Sequence, residues 1–483
     1  MNQTLGQKLF RIKPASKHHE GGLARTMGLF PLTMIGVGAT IGTGIFFTMA
    51  VAVPKAGPAV VLSFLIAALT AGLTALCYAE LSFRIPASGS SYSFAYATLG
   101  EFAAFIMAAC LLLEYGLAAS ATAIGWSDYL NKFLQSAFGM EIIDRLRSPM
   151  IMPGKDGLGV EFHPGQFNLP PVLLVIMCCI MLIRGTKESA TTNAIMVLTK
   201  LGILLFFVVI ALSGFNADNF TPFFNAGTTP GMSGMSGVAA GAALVFFSFI
   251  GLDTVATAGE EVKDPTRNVP KGILMALGVV TLFYLLVAVA AIGAQPAALF
   301  KGQEAGLAVI LQNVTGKTWP ALVLSAGAVI SVFSVTLVTI YGQTRILYAI
   351  SRDGLIPKTF QKVSKRTLAP VSNTLIVSIV VGIVSALVHA DFLWDMVSMG
   401  TLTAFMVVSI AVPVLRRREG ENIEKGFRVP FGPYVIPGLS IAACLYLMQQ
   451  LSNTTYIVFS IVMTLAVMTY LMYSVRNSNL NQP

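Results

Sequence analysis

The chain has 483 residues, of which 55% are hydrophobic and only 11% charged, with a mean hydropathy of +0.76. That balance excludes an ordinary soluble enzyme of two or three domains and predicts an all-α polytopic membrane protein, because apolar runs near the length of one bilayer crossing recur from end to end. The formal charge of +9 calls for no nucleic acid: the basic residues collect between the crossings, where anionic lipid headgroups are the simpler counterpart.

Twelve crossings are predicted, at about residues 29–52, 58–82, 102–132, 169–184, 192–213, 237–259, 272–294, 319–348, 372–390, 394–415, 432–450 and 455–474, from the roughly 20 apolar residues that each requires. The first 27 residues are basic and polar without an apolar core, so no cleavable signal peptide is expected. With the amino terminus inside, the great majority of Lys and Arg residues, including Lys8, Arg11, Lys13 and the run Arg416, Arg417, Arg418, fall on cytoplasmic segments. Both termini are therefore expected in the cytoplasm, with the chain in the plasma (inner) membrane. Cys77, Cys110, Cys178, Cys179 and Cys444 all lie within crossings. They suggest neither a disulfide framework nor a metal site, and no cofactor is indicated.

The first crossing contains GVGATIGTGIF at residues 36–46. Each glycine costs a helix interior roughly 0.8–1 kcal/mol relative to Ala, and a backbone group released in hydrocarbon must find another partner. The run is read either as a small-residue packing stripe or as an unwound binding segment. Residues 54–58 make an external turn, and residues 85–92 a cytoplasmic loop leading into a short helix. Glu80, near the inner end of the second crossing, is within reach of the headgroups. Glu114 in the third crossing is too deep for that and is expected to face the bundle interior. Residues 133–168 form the longest external loop, and its His163 stands alone. Lys200 lies about two turns inside the fifth crossing, where it either snorkels or takes part in moving a proton: burial penalises its charge and a nearby carboxylate sustains it.

The sixth crossing repeats the theme, with Ser248, Gly251 and Asp253 interrupting an apolar run before Glu260 and Glu261 at its cytoplasmic end. Five crossings separate the two interruptions. Five is odd, so the second unit enters the membrane in the opposite sense, as an inverted repeat requires. The expected organisation is a cytoplasmic segment at residues 1–27, a first repeat at 28–213, a second at 214–418, and two further crossings with a tail at 419–483. In the eighth crossing Ser331, Ser334, Thr336 and Thr339 either bond to their own helix or line a pocket.

These stretches, together with CYAE (77–80), PASGSSY (86–92), EYGL (114–117), FSFIGLD (247–253), EEV (260–262), YGQTR (341–345) and SRDG (351–354), resemble the amino acid-polyamine-organocation superfamily. Within it the chain is most similar to the bacterial form of the cationic amino acid transporter branch, over residues 24 to 440. The resemblance implies a LeuT-type fold of two inverted five-helix repeats with broken first and sixth helices, and proton-coupled permeation of small neutral or cationic L-amino acids by alternating access. It implies that a substrate carboxylate meets the amides of Ile41, Gly42, Thr43 and Gly44, and an ammonium the carbonyls of Thr40, Phe247, Ser248 and Ile250, with Thr339 at the side-chain end. It also implies proton coupling through Lys200 and Glu114. An exchanger or facilitator without proton flux is the alternative within transport; a membrane receptor is disfavoured by the want of a signalling domain.

Overall fold

The computed structural model describes residues 5–13, 27–42, 44–85, 90–154, 160–184, 190–224, 234–257, 262–364, 369–419 and 426–481. After a short helix, α1 (Leu5–Leu9), the first crossing consists of two half-helices, α2 (Leu29–Thr40) and α3 (Ile45–Ala56). α4 (Val60–Arg84), the short α5 (Ser90–Thr98) and α6 (Glu101–Phe138) follow. A hairpin of β1 (Ile151–Pro153) and β2 (Val160–Phe162) precedes α7 (Leu169–Arg184) and α8 (Ala190–Ser213). The sixth crossing comprises α9 (Gly234–Val245), a 3₁₀ turn at Phe246–Phe249 and the four-residue α10 (Thr254–Thr257). α11 (Pro265–Ala294), α12 (Gly306–Thr315), α13 (Trp319–Arg352), α14 (Val371–Leu387), α15 (Ala390–Glu419), α16 (Gly432–Met448) and α17 (Asn453–Thr469) complete the bundle.

Every predicted crossing falls on one of these helices or broken pairs. Among the described residues, eight helical spans are long and apolar enough to cross a membrane, and α2, α7, α14 and α16 are shorter apolar helices. The outward faces are as apolar as the core: Leu69 on α4, Ile195 and Val209 on α8, Ile379 and Ile383 on α14, and Ile461 and Leu465 on α17 are all more than half exposed. In water such continuous apolar surface would aggregate, whereas in hydrocarbon it is the required exterior. Inside, α6 and α13 pack against each other along their lengths, α11 packs on α4, and α2 packs on α8 and α11.

The helices overrun the predicted edges where charged or capping residues, not apolar ones, set their ends. α11 begins at Pro265, whose missing N–H is harmless at a first turn. α6 runs on to a left-handed Gly139 cap at φ +66°. The loop at 139–168 holds the hairpin that its sequence does not announce, since three-residue strands carry no periodic signal. His389 N–H donates to the Ile151 carbonyl (3.0 Å), tying that hairpin to the α14–α15 turn.

Two buried carboxylates hold one end of the bundle. Glu80 is 1% exposed, not directed to headgroups as expected: Arg416 Nε donates to it at 2.6 Å, Val429 N–H at 2.7 Å, and Arg84 pairs with it at 3.0 Å. The correction has a simple cause. Arg416 and Val429 are remote in sequence, so the charge is matched by partners the linear chain does not place nearby. Glu101 accepts from Arg11 (2.9 Å), Tyr96 (3.0 Å), Tyr470 (3.1 Å) and Ser478 (2.6 Å), which fastens both terminal segments to the start of α6. Burial and the neighbouring Glu101 charge push the Tyr96 hydroxyl pKa far above its ordinary value, so the hydroxyl remains a donor.

Candidate functional site

The glycine run breaks the first crossing. α2 stops at Thr40, Ile41 turns to an extended ψ of 116°, and Gly42 takes φ +135°, a conformation strained for any side chain. Gly44 then opens α3, with its carbonyl accepting from Thr48 N–H at 2.8 Å. In the sixth crossing the 3₁₀ turn ends at Ile250 with ψ 146°, and Gly251 lies at φ +95°. Thr43, Glu260 and Glu261 lie outside the described residues.

Glycine also lets the two breaks touch. A Cβ on Gly44 would fall 1.9 Å from Ser248 Oγ and 2.4 Å from Ser248 Cα, and one on Gly251 would fall 2.9 Å from the Ala39 carbonyl oxygen. No adjustment of a side chain tip relieves a clash with backbone. The small residues therefore serve the unwinding and the close packing at once.

A broken helix leaves carbonyls without their usual donors four residues on. Ile41 N–H still donates to the Val37 carbonyl at 2.8 Å, closing the last regular turn. The next carbonyl in the series, Gly38, receives Lys200 Nζ at 3.2 Å. The Thr40 carbonyl lies 2.9 Å from the Tyr284 hydroxyl of α11, which is also 2.7 Å from the Ser248 carbonyl of the other break. One hydroxyl carries one proton, so it can be donated to only one of the two at a time. Phe247 C=O accepts from Ile250 N–H at 3.3 Å, and the Phe247 ring stacks on Trp394.

Lys200 is 3% exposed and does not snorkel. Its ammonium is 3.8 Å from where a Gly42 Cβ would stand. Glu114, also 3% exposed, is hydrogen-bonded to the Thr401 side chain and lies near Asp253 of the second break. Asp253 accepts from the Tyr115 hydroxyl at 3.2 Å. A narrow cavity of about 30 Å³ is lined by Ala39, Tyr115, Ala118, Ile250, Val338 and Thr339. It has room for a water or two and not for an amino acid. The Thr339 hydroxyl is turned to its own helix, 2.8 Å from the Val335 carbonyl. The residues at the two breaks are thus brought together with Lys200 and Thr339, and Glu114 lies near Asp253, at the end of the second break. Tyr284 escapes sequence reading, since it sits in an apolar run like any core aromatic.

A family model described as amino acid permease matches residues 27–481. The chain is 40% identical to the methylthioribose transporter of Bacillus subtilis (strain 168) over 98% of its own length and 99% of that protein's. It is 39% identical to the branched-chain amino acid permease BcaP of the same organism, over 97% of both chains. It is 35% identical to the vacuolar cationic amino acid transporter 4 of Arabidopsis thaliana, over 82% of this chain and 64% of that one. These relatives are named as transporters and permeases, not enzymes. With its paired helix breaks and lipid-facing exterior, the chain belongs to the amino acid permease family.

Proposed function

We propose that the chain is a proton-coupled permease for L-amino acids with neutral side chains, built as two inverted repeats (28–213 and 214–418) in the plasma membrane with both termini cytoplasmic. The observation that carries this reading is the contact of the two helix breaks, Gly44 on Ser248 and Gly251 on Ala39. The N–H groups of Gly42 and Gly44 stand at the positive end of α3 and suit a carboxylate. Carbonyls at Thr40 and at 247–250 suit an ammonium, with Tyr284 ready to give up one of its two acceptors. Both contacts read the amino acid core and leave the side chain to the walls. Ala39, Ala118, Ile250 and Val338 make those walls apolar, which favours an uncharged side chain. Because the cavity is too small for substrate, binding requires α6 or α13 to move against the breaks, as alternating access demands.

Lys200 places a positive charge against the first break. At ~4 Å and an effective dielectric of 20 it repels a sodium ion by about 4 kcal/mol, which favours a proton as the coupled ion. A substrate carboxylate at the break favours the protonated lysine, so substrate binding and retention of that proton are linked by charge.

The test is uptake of labelled leucine, alanine, lysine and methylthioribose into proteoliposomes with an imposed inside-alkaline gradient. Leucine is expected to accumulate with the proton gradient and to ignore sodium. Lys200→Met is expected to lose gradient-driven accumulation while retaining leucine exchange. Sodium-driven uptake, or unchanged coupling in the variant, overturns the reading. The 40% identity to a methylthioribose transporter favours one second reading, an uncharged thio-sugar substrate, which preferential methylthioribose uptake would establish.

A further inference from the structure

A second cavity, of about 270 Å³, lies between α6, α13, α14 and α17. On α6 it is lined by Leu113, Gly116 and Leu117, whereas the narrow cavity at the breaks is lined by Tyr115 and Ala118. At 3.6 residues per turn these are opposite faces of one helix, so the larger cavity is not part of the substrate site. It opens toward the lipid-facing exterior, since Val380 of its lining is 53% exposed.

Two polar side chains, Ser120 and Gln343, break the apolar lining, and the Ser120 hydroxyl is turned to the Gly116 carbonyl at 3.0 Å. Gln343 Nε2 donates to the Leu112 carbonyl at 3.4 Å, but its Oε1 is buried with no hydrogen-bond partner among the described residues. Gly116 makes room for that amide, since a Cβ there would fall 2.9 Å from Nε2 and 3.0 Å from Oε1. Apolar walls of this kind do not hold water well, and a buried acceptor is under-satisfied without a donor. A ligand that fits this lining is apolar in body, carries one hydrogen-bond donor and enters from hydrocarbon.

We propose that this cavity binds a membrane amphiphile through a hydroxyl that donates to Gln343 Oε1, its apolar body resting on Leu113, Leu117, Val380 and Val462. The test uses the full chain in proteoliposomes and a long-chain alcohol bearing a diazirine in its chain, with the methyl ether of the same probe as control. Photolabelling is expected on the peptides around 109–120, 380–384 and 462. The alcohol is expected to label about fivefold more than the ether, the equivalent of ~1 kcal/mol for one neutral hydrogen bond. Gln343→Leu is expected to remove that preference while keeping the label, and Leu117→Trp to remove the label by filling the cavity. Equal labelling by alcohol and ether overturns the proposal. So does a preference that survives in Gln343→Leu, or label spread as strongly over the outward faces of α7 and α8.

Discussion

Gly44 has backbone where a side chain would stand. Gly44→Ala drives a methyl group into Ser248, and because Ser248 belongs to the second break, the cost falls on the contact between the breaks. Overpacking of this kind costs typically ~1–3 kcal/mol. The variant is expected to lose leucine uptake and to unfold at lower temperature in detergent. Gly278→Ala, on α11 with nothing within 4 Å of the added atom, is the matched control and is expected to keep full uptake. Tyr284 makes the complementary case. Tyr284→Phe keeps the ring packed against Phe64 and Phe249 but strips the donor from two buried carbonyls. Loss of a buried hydrogen bond with its partners left in place costs ~1–3 kcal/mol. The expected result is a raised KM for leucine with a lowered unfolding temperature, and unchanged values for both would remove Tyr284 from the account.

The elements divide into those the chain reads out locally and those fixed by distant partners. The break in the first crossing was legible because four glycines in eleven residues are costly in any helix, and the second because Ser248, Gly251 and Asp253 punctuate an apolar run. How the freed carbonyls are satisfied was not legible. Lys200 and Tyr284 reach them from α8 and α11, and nothing in the local pattern separates a capping lysine from a snorkelling one. Glu80 shows the same limit, since its ion pair with Arg416 spans 336 residues. Breaking a buried pair costs up to ~3–5 kcal/mol, and with Arg84 still beside Glu80 only part of that falls on the loss of Arg416. Arg416→Met is therefore expected to lower the thermal unfolding midpoint, and Glu80→Gln combined with Arg416→Met to recover part of the loss. If the double variant were no more stable than Arg416→Met, the pair would not be what holds α4 to α15.

At the scale of the molecule, apolar outward faces, twelve predicted crossings found as helices or broken pairs, and a family model spanning residues 27–481 agree on one architecture. Within that family the relatives are named for different cargo, and the two breaks offer a reason. In the function proposed above, the backbone groups at Gly42, Gly44 and 247–250 do not depend on side-chain identity, so a change of cargo falls to wall positions such as Thr339 while the frame persists. In that proposal these backbone groups hold both ends of an amino acid core. Competition against labelled leucine uptake measures it most directly, using L-leucine, leucinamide, which lacks the carboxylate, and 4-methyl-2-oxopentanoate, which lacks the ammonium. The account predicts that L-leucine competes and that each analogue is weakened at least about tenfold, the loss of one charge-assisted contact of ~1.5–3 kcal/mol. Competition by leucinamide or the oxo acid as strong as by L-leucine would contradict it.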